Sequence, residues 1–352
     1  MSRPRRLLLI ALGLFTTALI VCVTLFWLRA DSIPLLLAVI VILAMLPVVL
    51  TLGFAWLHAR MPLAAFKRHA LPLGAFDAAV ALFVAYMIGV NTLDHALAAK
   101  DYSAAYADCH KIWATRGLVA SGRTKDANAG NSPATINNAF AHGAPGVEVD
   151  VYYDPDLADF VVSHDFPYVK QDGTLLMLES LLAQTDPAKH YWLDFKRHGQ
   201  LTRAQAEAAA TRLAAIAAKT GVAPARLWIE GTEPFNLMPF VHTGFSIIFD
   251  VHPPRDDHVL TPVVTELHKA VYLLGGFTVM GMNYGTEAAP IYGPVARQHL
   301  GGIPVFLYHV PTDRDLLARV VDIPEVRVLM ASDHSANVYD INACEVPAQG
   351  VR

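Results

Sequence analysis

After about residue 110 the chain settles into a repeating pattern of short apolar or β-branched runs, and nearly every run has a polar residue at or next to its end. The runs are Ile112–Thr115, Val147–Val151, Tyr191–Phe195, Leu227–Glu230, Ser246–Val251, Thr278–Asn283, Val305–His309 and Val328–Ser332. Each has the length of a strand, and helix-like stretches separate them. The clearest is Thr202–Lys219, which opens on a threonine cap and is rich in Ala, Glu, Arg and Leu. Alternation of strand and helix calls for a parallel sheet with helical crossovers. From Asp108 to the C-terminus the chain suits one (β/α)8 TIM barrel, for which about 250 residues is typical, so no second soluble domain is needed. One segment breaks the pattern: Tyr152-Tyr153-Asp154-Pro155-Asp156, followed by Asp159–Ser163, predicts an extra β-excursion after the second strand that carries His164 back over the barrel mouth.

The first ninety positions read differently. The chain is 54% hydrophobic and 16% charged, but three long apolar blocks crowd its beginning. Leu7–Leu28, Ile33–Leu57 and Leu71–Val90 hold 22, 25 and 20 residues, against the about 20 that a helix needs to cross a bilayer. The expected organisation is a membrane anchor of three transmembrane helices over residues 1–92, a connecting segment over 93–107 and a barrel over 108–352. The first block is longer than a signal-peptide core and leads into more apolar sequence, so it reads as an uncleaved helix. Cys22 follows Val21 and not a small residue, which argues against lipoprotein processing. Arg3, Arg5 and Arg6 precede the first block, and Arg60, Lys67 and Arg68 lie between the second and third, whereas the loop after the first has only Arg29. Cations near membrane helices stay on the cytoplasmic side. The N-terminus is therefore expected in the cytoplasm of a bacterial inner-membrane protein, with the C-terminal domain periplasmic or extracellular. Lys and Arg, 27 together, do not outnumber the 31 Asp and Glu, and no basic run marks a nucleic-acid partner.

The chemistry gathers at the strand ends. Glu148 and Asp150 stand two apart on one strand, so both side chains point to the same face. On an isolated strand such a pair is usually a solvated edge. Here it closes a barrel strand at the C-terminal end, where active sites of this architecture lie. With Asp194 from the next strand it makes a hard oxygen site suited to Ca²⁺ or Mg²⁺ and not to thiolate-preferring metals. His164 can carry a proton to or from an oxygen. Glu230 is a further ligand or an acceptor for a polar substrate. Asp250, His252, Asn283, His309, Asp333 and His334 also end strands, and nothing in the pattern singles any of them out.

Residues 111–335 resemble the glycerophosphodiester phosphodiesterase family, within the phospholipase C-like phosphodiesterases. That family opens with His-Arg-Gly at the end of its first strand, then Glu-Asn-Thr, Gly-Ala-x-Gly-x-Glu-x-Asp and a downstream His-Asp. The corresponding stretches are Thr115-Arg116-Gly117, Gly130-Asn131-Ser132, Gly143-Ala144-Pro145-Gly146-Val147-Glu148-Val149-Asp150 and His164-Asp165. Later matches are Leu178-Glu179-Ser180-Leu181 and Asp194-Phe195-Lys196. The resemblance implies a metal-dependent phosphoric diester hydrolase. Glu148, Asp150 and Asp194 would hold the metal, His164, Arg116 and Lys196 would serve catalysis, and Glu230 and Thr115 would contact the substrate. The implied substrate is a small phosphodiester, a phospholipid headgroup or an envelope phosphodiester.

Two positions depart from the family pattern. Gly130 stands where the family has glutamate. Thr115 stands where it has one of two proton-shuttling histidines, and a threonine hydroxyl does not titrate near neutrality. Another histidine such as His309 or His334 fills the role, or one histidine suffices, or the barrel is catalytically impaired and binds a polyol phosphate, lipid or envelope glycan. Finally, Cys109 precedes the first strand and Cys344 follows the last, so barrel closure brings these regions close, and the two form a disulfide in an oxidising compartment or stay as two buried or exposed thiols.

Overall fold

The computed structural model describes residues 85–119, 130–171, 173–255, 257–333 and 336–344. The first two apolar blocks, and the third up to residue 84, lie outside the described residues. Among the described residues no helix is long and apolar enough to cross a membrane. Contacts divide the chain into two compact units, Met1–Ala96 and Leu97–Arg352. In the first, residues 85–96 are helical.

In the second unit the eight expected runs are all strands. They are β1 (Ile112–Trp113), β2 (Gly146–Asp154), β4 (His190–Phe195), β5 (Leu227–Gly231), β6 (Ser246–Asp250), β7 (Val279–Asn283), β10 (Val305–Val310) and β11 (Val326–Ala331). They pair in parallel in the order β1-β11-β10-β7-β6-β5-β4-β2. A parallel bridge between Ala114 and Val147 closes the ring, with Ala114 N–H donating to Gly146 O at 3.0 Å and Glu148 N–H to Ala114 O at 2.8 Å. The sheet is therefore a curled, mostly parallel barrel. β3 (Asp159–Val162) is the expected excursion and pairs antiparallel with the far half of β2. Because β1 stops early, that edge of β2 is free to receive it. A short hairpin of β8 (Gly285–Thr286) and β9 (Ala289–Pro290) follows β7.

The crossovers among the described residues are α1 (Pro133–Ala141), α2 (Leu178–Ala183), α3 (Arg203–Thr220), α4 (Pro234–His242), α5 (Thr261–Gly275), α6 (Pro294–Leu300) and α7 (Arg314–Val321). α3 shows why its sequence makes a helix. Thr202 and Gln205 form a reciprocal capping box at its start, Gly221 ends it at φ 76°, and Ala206, Ala209, Ala210, Leu213, Ile216 and Ala217 make its buried face. The Glu179 of the Leu-x-Glu stretch is structural: Arg212 of α3 bridges it at 2.9 Å and Asp159 of β3 at 2.8 Å, tying the excursion to the helix layer.

The barrel interior is filled from below by aromatic rings. Trp113, Trp192, Trp228, Ile248, Val279, Phe306 and Val328 form one buried cluster, and Tyr106, from the segment before β1, packs beneath it against Trp113 with ring centroids 5.1 Å apart. Cys109 and Cys344 are joined by a disulfide with their Cα atoms 4.9 Å apart, linking the entry to β1 with the tail after β11. Gly146 lies over this plug. A Cβ at that position would come within 2.5–2.7 Å of the Trp113 indole. Gly146→Ala is therefore expected to destabilise the barrel by about 1–3 kcal/mol, the cost of overpacking a filled core. Denaturant unfolding of both proteins checks this, and an unchanged midpoint would mean the ring does not sit against β2.

Candidate active site

Side chains alternate along a strand, so a residue two positions beyond a plug residue also points inward, one layer nearer the C-terminal mouth. The sequence uses this step to switch from aromatic to acidic. Trp192 is followed by Asp194, Trp228 by Glu230 and Ile248 by Asp250, while β2 supplies Glu148 and Asp150. Together with Thr115, Arg116, His164, Lys196, Tyr308, His309 and Met330 these residues line a cavity of about 310 Å³. All eight residues expected at the site are in that lining.

Glu148, Asp150 and Asp194 each offer a carboxylate oxygen, and the three oxygens lie within 4.8 Å of one another. Asp150 is the most tightly held. Asn131 Nδ2–H donates to its Oδ2 at 2.6 Å, its own N–H donates to Asn131 Oδ1 at 3.1 Å, and Lys196 Nζ stands 2.9 Å from Oδ1. Lys196 also bonds Asp194 Oδ2, and Arg116 Nε lies 4.0 Å from Asp150 Oδ2. Among the described residues Glu148 Oε2 is buried with no hydrogen-bond partner. A buried carboxylate oxygen without a donor is costly, and here it faces two further carboxylates. This is the observation that makes the three residues fit a divalent cation.

The electrostatics agree. Burial, then Asp150 and Asp194, push the Glu148 carboxyl well above its usual range. Burial is likewise the main cause that raises Asp194 to about 6 and Asp250 to about 8, and that raises Glu230. Burial opposes the Lys196 ammonium, but Asp194 and Asp150 outweigh it and its pKa rises. Glu230 accepts Trp192 Nε1–H at 2.6 Å, and Asp250 accepts Tyr308 O–H at 3.2 Å.

His164 comes to the mouth on the return from β3. Its Nδ1 lies 2.8 Å from Asp165 Oδ1. With Nδ1–H given to the carboxylate, Nε2 is the atom available to exchange a proton. Thr115 lines the cavity, but its hydroxyl donates to Ala331 O at 2.9 Å, so it seals β1 to β11. Gly130 has a local reason: a Cβ there would stand 2.6 Å from Arg116 Cβ. Arg116 and Asn131 both have positive φ, 56° and 55°, and Asn131 N–H donates to Arg116 O at 2.9 Å. This crossing admits no glutamate. Ser132 caps α1 through a capping box with Thr135.

Of the strand-end residues that the pattern did not single out, Asp250 and His309 line the cavity, and Asn283 stands behind His309 at 3.1 Å. Exposed His252 lies 3.6 Å from Asp250. Asp333 is not in the lining, and His334 lies outside the described residues. Asn131 and Tyr308 were missed. The alternation Phe306, Tyr308 could have found the second. Asn131 carried no signal beyond its place in a weak motif.

No protein-family model matches the chain, and no curated protein matches it. Several solved structures are similar. A glycerophosphodiester phosphodiesterase from Parabacteroides distasonis is 17% identical, with 63% of this chain and 92% of that chain covered and a TM-score of 0.46. One from Thermotoga maritima is 16% identical, with 64% and 95% covered and a TM-score of 0.45. An Oleispira antarctica phosphodiesterase in complex with the product sn-glycerol-3-phosphate is 13% identical, with 66% and 96% covered and a TM-score of 0.46. Likenesses this distant carry no weight for activity, and the barrel rests on the strand pairing above.

The raised carboxyls have a consequence for stability. A carboxyl whose folded pKa is raised is neutral in both states at low pH. As pH climbs past the ordinary carboxylate value the unfolded chain releases its proton first, so folding loses stability until the folded pKa is passed. For Asp250 that window runs from the ordinary 3.8 to about 8. In metal-free protein, Asp250→Asn should leave the melting temperature nearly unchanged below the window and raise it above. Thermal melts of both proteins at each end check this. An equal offset at both ends would show that Asp250 does not ionise against a penalty.

Proposed function

We propose that this chain is a metal-dependent phosphoric diester hydrolase acting on a glycerophosphodiester, a phospholipid headgroup or an envelope phosphodiester. The carrying observation is the mouth itself: three carboxylate oxygens within 4.8 Å of one another, beside Arg116, Lys196 and His164 in one cavity. The motif resemblance in residues 111–335 supports the same reading. Glu148, Asp150 and Asp194 would hold Ca²⁺ or Mg²⁺, hard cations that take oxygen ligands. A bound divalent ion would offset charge on the nonbridging oxygens of the phosphodiester.

The chain's own residues supply the rest. Arg116 and Lys196 give cationic contacts from just beyond β1 and β4, so the phosphoryl group is gripped from separate strand ends. His164 takes a proton at Nε2 from an attacking hydroxyl or water. The new O–P bond forms as the bond to the leaving oxygen breaks, and that oxygen receives a proton from His164 or solvent. Asp165 accepts from Nδ1 and stabilises the imidazolium that forms. Glu230 and Asp250 offer hydrogen bonds to the polyol part of the substrate.

The apolar blocks and the Cys109–Cys344 disulfide support placing the barrel at a membrane on the side away from the cytoplasm, where disulfides persist. A second reading is favoured by one observation: the Thr115 hydroxyl is committed to Ala331 O. On that reading the barrel is catalytically impaired and binds a polyol phosphate, lipid or envelope glycan.

Turnover separates the two. The purified full-length chain in detergent is expected to cleave bis-p-nitrophenyl phosphate or a glycerophosphodiester with Ca²⁺ or Mg²⁺ and to stop in EDTA. Glu148→Ala should abolish turnover, and His164→Ala should lower it by about 10²–10⁴-fold. Metal bound through Glu148 with no cleavage would favour the binding barrel.

A further inference from the structure

β10 loses register against β11 next to the cavity. Leu307 pairs with Leu329 and Val310 with Ala331, so Tyr308 and His309 together oppose the single residue Met330. His309 takes φ 53°, a left-handed conformation. In an unbroken strand Phe306 and Tyr308 would face inward, and Leu307 and His309 would face the helices. The bulge changes this, and both Tyr308 and His309 line the cavity. Bulges re-aim side chains in this way, and strained backbone persists where the surrounding structure holds it.

The ring of His309 is held in a defined protonation state. Asn283 Oδ1 accepts the Gly285 N–H at 2.7 Å, which sets the orientation of the Asn283 amide. Asn283 Nδ2–H therefore points at His309 Nδ1, 3.1 Å away. Nδ1 carries the lone pair of this bond, so the ring's one proton is on Nε2. Protonating Nδ1 would set two N–H groups against each other. His164 differs, because its Nδ1 meets a carboxylate and not an amide donor.

We propose that His309 is a further catalytic residue, acting as a neutral hydrogen-bond donor through Nε2–H to an oxygen of the reacting phosphoryl group and not as a second proton carrier. The proposal rests on the phosphodiesterase reading of the site. It also answers the departure at Thr115: the mouth has a second imidazole, but one built to donate a hydrogen bond. No proton leaves His309, so the proton that His164 takes from the attacking hydroxyl, or one from solvent, balances the leaving oxygen. Burial, then Arg116 and Lys196, lower the His309 pKa and oppose an imidazolium there. A neutral donor matters most when charge on its acceptor grows, which makes its contribution fall on kcat more than on KM.

Two measurements test this. In full-length protein labelled with ¹⁵N-histidine, long-range ¹H–¹⁵N spectra should show His309 neutral with its proton on Nε2 across neutral pH. An imidazolium or an Nδ1–H tautomer overturns the proposal whether or not any variant folds. In turnover, His309→Ala should lower kcat by about 10²-fold with little change in KM, as for loss of one oxyanion donor. His309→Gln, which keeps an N–H, should recover most of that loss and retain the wild-type pH–rate limbs. A Gln variant as impaired as Ala and lacking a limb would make His309 a proton carrier and overturn the proposal. An inactive wild type sinks the phosphodiesterase reading instead. The His309 signal is then followed on adding sn-glycerol 3-phosphate: a shift in the wild type, together with weaker binding by His309→Ala, supports the donor, and an unmoved signal overturns it.

Discussion

Mutual repulsion among buried and half-buried carboxylates is the constraint around which this barrel is arranged. Glu148, Asp150, Asp194, Glu230 and Asp250 share one cavity with the cations Arg116 and Lys196. Beneath them lies a floor of Trp113, Trp192, Trp228 and Phe306, which provides little to solvate charge. Two cations do not balance five carboxylates. The remaining negative charge is met in three ways: Asp250 and Glu230 lean toward their neutral forms, Asn131 and Lys196 brace Asp150, and the unpartnered Glu148 oxygen is left to face Asp150 and Asp194. The last is a cost with a use, since a divalent cation entering there meets a site already arranged.

The plug and the rim depend on each other. A two-residue step along each strand separates an aromatic ring from a carboxylate, so packing below fixes the height of the charges above. Gly146 shows the tolerance involved, because the Trp113 indole occupies the space of its missing side chain. The β-excursion adds what strand ends alone cannot reach. β1 is short, β3 takes the freed edge of β2, and the return places His164 over the mouth.

Much of this could be read in the residues. Strand positions follow from apolar runs closed by polar residues, and Glu148, Asp150 and Asp194 follow from period and from their place at the C-terminal ends of strands. Asn131 was not legible because its role depends on the crossing of two positive-φ residues, Arg116 and Asn131, which residue type does not announce. His309 was legible as a strand-end histidine that could stand in for the one missing at Thr115, but not how it reaches the cavity, since regular alternation points it outward and only the bulge turns it in. The glycine at 130 looked like a lost glutamate, and packing against Arg116 gives it a backbone reason.

On the reading proposed above, the acidic mouth holds one divalent cation. Diffraction from crystals of the protein grown with Mn²⁺, recorded for anomalous signal, tests it most directly. One strong peak is expected within bonding distance of carboxylate oxygens of Glu148, Asp150 and Asp194. A map with no peak there, or with Mn²⁺ only at exposed acidic groups elsewhere, would contradict it.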